Sequence, residues 1–127
     1  MIVKNIAAQT TADKKLVEMV AEKKSLSEIK KHIKNLSDNK LKKQLEVRLS
    51  NGDTAILRAA KHNDIELFKL LARAGADLNK LDNRRRDILN TAISNGNPEL
   101  VRIALKAGSD PTMVTSVYEG SALIYVI

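Results

Sequence analysis

Apolar residues along most of this chain recur at steps of three and four, the spacing of one helix face. Ile65, Phe68 and Leu71 with Leu67 and Leu70 form one such face, and Leu100, Ile103 and Ala104 with Val101 and Leu105 form another. Asp64 stands where a carboxylate can accept a backbone N–H of the first turn. Asn97 can do the same for the later helix, with Pro98 at the first helical position, where its missing N–H costs nothing. Gly75 and Gly108 fall where each helix should stop in a left-handed residue. The segments before them, 54–62 and 87–95, read as shorter helices whose Ala59, Ala60 and Ala92 suit close packing. Nearer the N-terminus, Leu16, Met19 and Val20 make one stripe and Leu26, Ile29, Ile33 and Leu36 another, which predicts two helices over 14–36. Ser25 or Ser27 can start the second, with Glu28 complementing the dipole. Residues 37–49 fit two patterns, a helix through Leu41, Leu45 and Leu49 or a strand through Leu45, Val47 and Leu49. A short helix over 37–46 is expected, ending before the Ser50-Asn51-Gly52 turn. Residues 1–12 are either frayed or an additional helical turn.

The pattern is written twice. Displaced by 33 positions, residues 50–79 fall on 83–112 without a gap. Ala59 meets Ala92, Glu66 meets Glu99 and Leu67 meets Leu100; Ala74, Gly75 and Asp77 meet Ala107, Gly108 and Asp110. A fixed period of this length marks a solenoid, in which neither helix–turn–helix unit could bury its apolar side alone. The copies begin Thr54-Ala55-Ile56-Leu57-Arg58-Ala59 and Asp87-Ile88-Leu89-Asn90-Thr91-Ala92, and end Gly75-Ala76-Asp77 and Gly108-Ser109-Asp110. A further start stands at Ser121-Ala122-Leu123-Ile124-Tyr125-Val126. These stretches resemble the ankyrin repeat family, whose copies carry a turn, a T-P-L-H-x-A helix start and a second helix. The resemblance implies an all-α solenoid of stacked helix-turn-helix units with protruding loops. One domain is expected over 1–127: capping helices at 14–49, repeats at 50–82 and 83–115, and a partial repeat at 116–127. The proline and histidine of the family's helix start are missing; Leu57, Asn90 and Ile124 occupy the histidine position. If the chain stops within the first helix of a third repeat, Leu123, Val126 and Ile127 leave an apolar edge open to self-association, unless the chain is a fragment of a longer one.

Composition narrows the chemistry. The 127 residues include no cysteine and no tryptophan, which removes disulfide frameworks and thiolate zinc sites. No apolar run approaches the ~20 residues that span a bilayer, and the first eight residues lack the apolar centre of a secretory signal. A cytoplasmic location is therefore expected, with secretion by a signal-independent route left open. The formal charge of +7 is uneven: residues 1–50 carry +6 and residues 51–127 carry +1.

Catalytic patterns are missing. His32 and His62 have no second ligand at helical spacing, the glycines fall at repeat turns, and no nucleophile elbow occurs. The expectation is a non-enzyme with no cofactor and no metal. Arg84-Arg85-Arg86 is the sharpest local feature, standing in the loop where the family's finger has its glycine. Three guanidiniums on an exposed tip can clamp a carboxylate or phosphate, and a charge run can equally be a solvated loop. In the family, partners lie along the fingers and the first helix of each repeat. The resemblance therefore implies that another protein, polar or acidic at its epitope, meets Asn51, Asp53, Arg58, Lys61 and His62 in the first copy. In the second copy the implied contacts are Arg84, Arg85, Arg86, Thr91, Ser94 and Asn95. The alternative is a basic module that holds nucleic acid or an anionic membrane through Lys23, Lys24, Lys30, Lys31, Lys34, Lys40, Lys42 and Lys43. Against nucleic acid stands the scarcity of aromatic platforms, with only Phe68, Tyr118 and Tyr125 in the chain.

Overall fold

The computed structural model describes residues 13–112, and these are helical, with no strand among the described residues. The helices are α1 (Lys15–Ala21), α2 (Leu26–Lys34), α3 (Asp38–Glu46), α4 (Ala55–Lys61), α5 (Ile65–Arg73), α6 (Ile88–Ser94) and α7 (Pro98–Ala107). The resemblance's all-α class and solenoid layout are what the chain adopts. Inner helices α1, α4 and α6 pack side by side, and outer helices α2, α5 and α7 pack behind them. The N-terminal pair α1–α2 thus takes the place of a first repeat beside the two readable copies. The expected partial repeat at 116–127 and its apolar edge lie outside the described residues, as do residues 1–12.

Local sequence sets each helix start. The side chains of Ser25, Ser37, Thr54, Asp64, Asp87 and Asn97 each accept a backbone N–H from the third residue onward, which satisfies donors the helix itself cannot. The short helix over 37–46 forms as favoured. It is an addition to the repeat plan, since the connection from α5 to α6 has no helix at the corresponding place. Gln44 on α3 is buried, and its side-chain oxygen accepts from Leu16 N (3.2 Å) and from His32 Nε2 (2.8 Å). One amide therefore ties α1, α2 and α3 together, and a buried polar group with its bonds made specifies that arrangement.

The core runs through all three units: Leu16, Val17 and Val20 on α1, Ile29 on α2, Ile56 and Leu57 on α4, Phe68 and Leu71 on α5, and Leu89 and Leu100 on α6 and α7 are 0–1 % exposed. Leu57 fills the core at the family's histidine position. Asn90 at the same position in the next copy restores a brace of its own: its Oδ1 accepts Asp87 N and its N donates to Asp87 Oδ1, both at 2.9 Å. This reciprocal box satisfies two donors at once.

Gly75 and Gly108 end the outer helices with φ of +104° and +118°. An added Cβ at Gly75 meets nothing within 4 Å and at Gly108 only Leu78 Cδ1 at 3.9 Å, so the cost of alanine is conformational alone. Gly75→Ala and Gly108→Ala should each lose about 1 kcal/mol, seen in thermal melts as a midpoint about 4 °C lower. Parent-like melting of both would remove the helix stops from the account of the fold.

Candidate partner-binding surface

Two loops project beyond the inner helices, and both fold alike. In the first, Leu49 N donates to Asp53 O (2.9 Å) and Gly52 N to Leu49 O (2.9 Å); in the second, Asp82 N donates to Arg86 O (2.9 Å) and Arg85 N to Asp82 O (3.0 Å). Each is a three-residue hairpin tip, a form that closes with a left-handed residue, usually glycine. The first loop uses Gly52 at φ +88°; the second uses Arg85 at φ +63°. Glycine is needed at 52 for a second reason. A Cβ there would lie 2.5 Å from Asn83 Oδ1 and 2.6 Å from Asn83 N. The two tips are laced edge to edge, with Asn83 N donating to Asn51 O (3.1 Å), Asn83 Nδ2 to Ser50 O (2.8 Å) and Arg48 Nη1 to Leu81 O.

Beneath the tips runs an alternating row of charges. Asp53 Oδ2 faces Arg58 Nη1 at 3.3 Å and Asp53 Oδ1 faces Lys61 Nζ at 2.6 Å. Lys61 also reaches Asp82 Oδ2 at 3.0 Å, and Arg86 Nε lies 3.6 Å from that same oxygen. The row spans the first tip, α4 and the second tip. Burial pushes the Asp82 carboxyl up, but Arg86 N, the Lys61 ammonium and Arg84 N outweigh it and hold the group below the ordinary carboxylate value. Burial likewise pushes the Asp87 carboxyl up, against the N–H groups of Asn90 and Leu89, and there burial wins. At the far end of α4, burial and the nearby Arg58 and Lys23 charges lower the His62 pKa.

The residues expected to meet a partner separate into three sets. Asn51, Arg84 and Arg85 are exposed at the tips, with Arg58 and Lys61 half-buried behind them. His62, Ser94 and Asn95 lie at the other end of the inner helices, a helix length of about 10 Å away. Asn95 Nδ2 reaches Ala60 O and Asn63 Oδ1, both at 3.4 Å. Asp53 and Thr91 require correction: both are buried, at 0 % and 6 % exposure, and offer no surface for a partner. Asp53 is consumed by its two cations, and Thr91 Oγ1 donates to Asp87 O at 2.9 Å. Arg86 departs in part from the exposed run, because it turns back onto Asp82 and is half-buried. Asp82 is not among the residues to which the sequence pattern points. It receives Arg84 N (2.8 Å) and Arg86 N (3.0 Å) on Oδ1, and its only signal was an Asp two residues before a loop arginine.

Stacked helix pairs with projecting tips and a polar inner face define a repeat scaffold, and among the described residues no cluster of three or more metal-ligating side chains accompanies it. The chain belongs to the ankyrin repeat family: the family model for ankyrin repeats (3 copies) matches residues 6–115. That match takes in the N-terminal pair α1–α2, expected above as capping helices. Ankyrin repeats are in general protein–protein interaction modules without catalytic activity. Among solved structures, the chain is similar to an ankyrin repeat domain from Acinetobacter baumannii AYE, at 23% identity and a TM-score of 0.64. The likeness covers 77% of this chain and 49% of that one. No curated protein matches the sequence. No helix among the described residues is long and apolar enough to cross a membrane.

Proposed function

We propose that this chain is an interaction scaffold that binds another protein with a polar or acidic surface along its loop tips and inner helices. The supporting observation is the cationic edge formed by Arg58, Lys61, Arg84, Arg85 and Arg86, of which Arg58, Lys61 and Arg86 pair with Asp53 and Asp82 among the described residues. Oppositely charged patches steer encounter and select partners. A test is capture from nuclease-treated lysate on the immobilised chain, comparing the parent with Arg58→Gln/His62→Glu on the inner face and Arg102→Glu on exposed α7. The scaffold reading expects a discrete protein partner retained by the parent and by Arg102→Glu, and lost from the inner-face variant. Equal loss from both variants would count against it.

The lysine-rich alternative has one observation in its favour. Lys23, Lys30, Lys31, Lys34, Lys40, Lys42 and Lys43 are exposed and form no ion pair among the described residues. Duplex DNA binding that falls steeply between two salt concentrations, without sequence preference, would mark this surface as generic.

A further inference from the structure

We infer that the groove between the outer helices α5 and α7 docks an acidic, amphipathic helix of another protein. This surface lies behind the inner helices, away from the loop tips, and is distinct from the inner-face site proposed above. Lys69, Ala72 and Arg73 of α5 line one wall, and Ile103, Lys106 and Ala107 of α7 line the other. Three cations thus border an apolar strip of Ala72, Ile103 and Ala107. Arg73 and Lys106 are exposed, and their side chains form no hydrogen bond or ion pair among the described residues. Lys69 lies 4.0 Å from Glu66, whose side chain is 73 % exposed, and a surface pair of this kind contributes little. The helix macrodipole favours a cation in the last turn, where Arg73 and Lys106 stand. It does not account for Lys69, which precedes that turn, or for the apolar strip between the cations.

Charge complementarity sets the occupant. Residues 1–12 and 113–127 of the chain hold one acid between them, Glu119, too few carboxylates for three cations. A second copy is no better suited, because each carries a formal charge of +7. Lys69 and Arg73 stand one helical turn apart on one wall, about 5–6 Å between Cβ atoms. Carboxylates one turn apart on a partner helix match that spacing while its apolar stripe covers Ala72 and Ile103, the helix-in-groove mode of recognition. The chain itself seats a helix at the equivalent place one repeat earlier. There Leu41 and Leu45 of α3 share a cleft with Ala74 and Gly75 at the end of α5. Ala107 and Gly108 are the counterparts of Ala74 and Gly75, 33 positions on, but the connection from α5 to α6 holds no helix. Ala74 is accordingly half-buried and Ala107 exposed. Nucleic acid fits less well. Phe68, the only aromatic side chain among the described residues, is buried, and a phosphate backbone has no apolar stripe to lay on Ile103.

The experiment uses the full chain at physiological salt and a fluorescein-labelled, alanine-based helical peptide with a stripe of leucines edged by glutamates. Comparison peptides replace the glutamates with glutamine or the leucines with serine; the competitors are a duplex DNA and phosphatidylserine vesicles. Arg73→Ser/Lys106→Ser and Ala107→Glu change exposed groove positions and should melt within about 2 °C of the parent. Each should weaken the Leu–Glu peptide about tenfold, a difference of about 1.4 kcal/mol. Lys31→Ser/Lys43→Ser removes exposed cations outside the groove, and Arg58→Gln/His62→Glu alters the inner face; both should bind this peptide as the parent does. A parent that fails to bind the Leu–Glu peptide, or binds the serine-striped peptide as tightly, overturns the inference. So does an equal loss from Lys31→Ser/Lys43→Ser, which would mark generic attraction, or tighter binding of DNA or vesicles through Arg73 and Lys106 than of the peptide. If the loss is confined to Arg58→Gln/His62→Glu, the acidic helix belongs to the inner face: the groove assignment fails and the scaffold reading stands.

Discussion

Replacing Asp53 with alanine will destabilise the protein by about 3 kcal/mol, the lower end of the range for breaking a buried ion pair. The carboxylate is fully buried and balances two cations, Arg58 and Lys61, whose side chains are 31 % and 21 % exposed. Removing it leaves both charges with one counterion fewer in a place where water reaches them only in part. Lys61 keeps Asp82 at 3.0 Å and both cations retain some solvent, which is why the loss stays at the lower end. Asp53→Asn will be milder, because the shape is kept and one side-chain oxygen remains to accept from a neighbouring cation. Urea titration of both variants against the parent measures the effect. Midpoints unchanged within error would show that the charge row contributes nothing and that Asp53 is free for a partner after all.

Acid should erode the same row. Asp82 has a folded pKa below its unfolded value, so the stability it contributes is fully present above the ordinary carboxylate pKa and is lost as pH falls through the depressed folded value. The stability gap between the parent and Asp82→Asn should therefore hold steady at neutral pH and close as the solution is acidified below about pH 4.

Phe68→Ala will cost about 3–5 kcal/mol, the usual loss for truncating a fully buried aromatic side chain. Phe68 is 0 % exposed on α5, the outer helix of the middle unit, which packs on α4 and between α2 and α7. A cavity there weakens both repeat interfaces at once, and in a solenoid stability is a sum of unit and interface contributions. Phe68→Leu, which keeps most of the volume, should cost far less. The internal ranking is the check: Phe68→Ala must lose clearly more than Gly75→Ala, and a reversed order would mean that the middle unit is not the centre of the stack.

Much of this molecule is legible without coordinates because its information is short-range. The caps at Asp64 and Asn97 and the left-handed Gly75 and Gly108 each follow from local chemistry acting on backbone within four residues, whereas Ser25 over Ser27 and helix over strand at 37–46 are settled in the fold. The 33-residue period then implies stacking, since each unit has an apolar side it cannot cover alone. The candidate surface was less legible. A polar residue at a finger position looks the same in sequence whether it faces water or a buried cation. Asp53 is decided by Arg58 and Lys61, five and eight residues on, and Asp82 by Lys61, 21 residues back. Thr91 is decided by burial against its neighbours, and Arg86 by the direction the hairpin tip gives it. Sequence alone therefore determined the helices, their stops and the repeat. Only the tertiary structure decided which charges neutralise one another and which arginines stay exposed, because pairing depends on the distances that stacking creates.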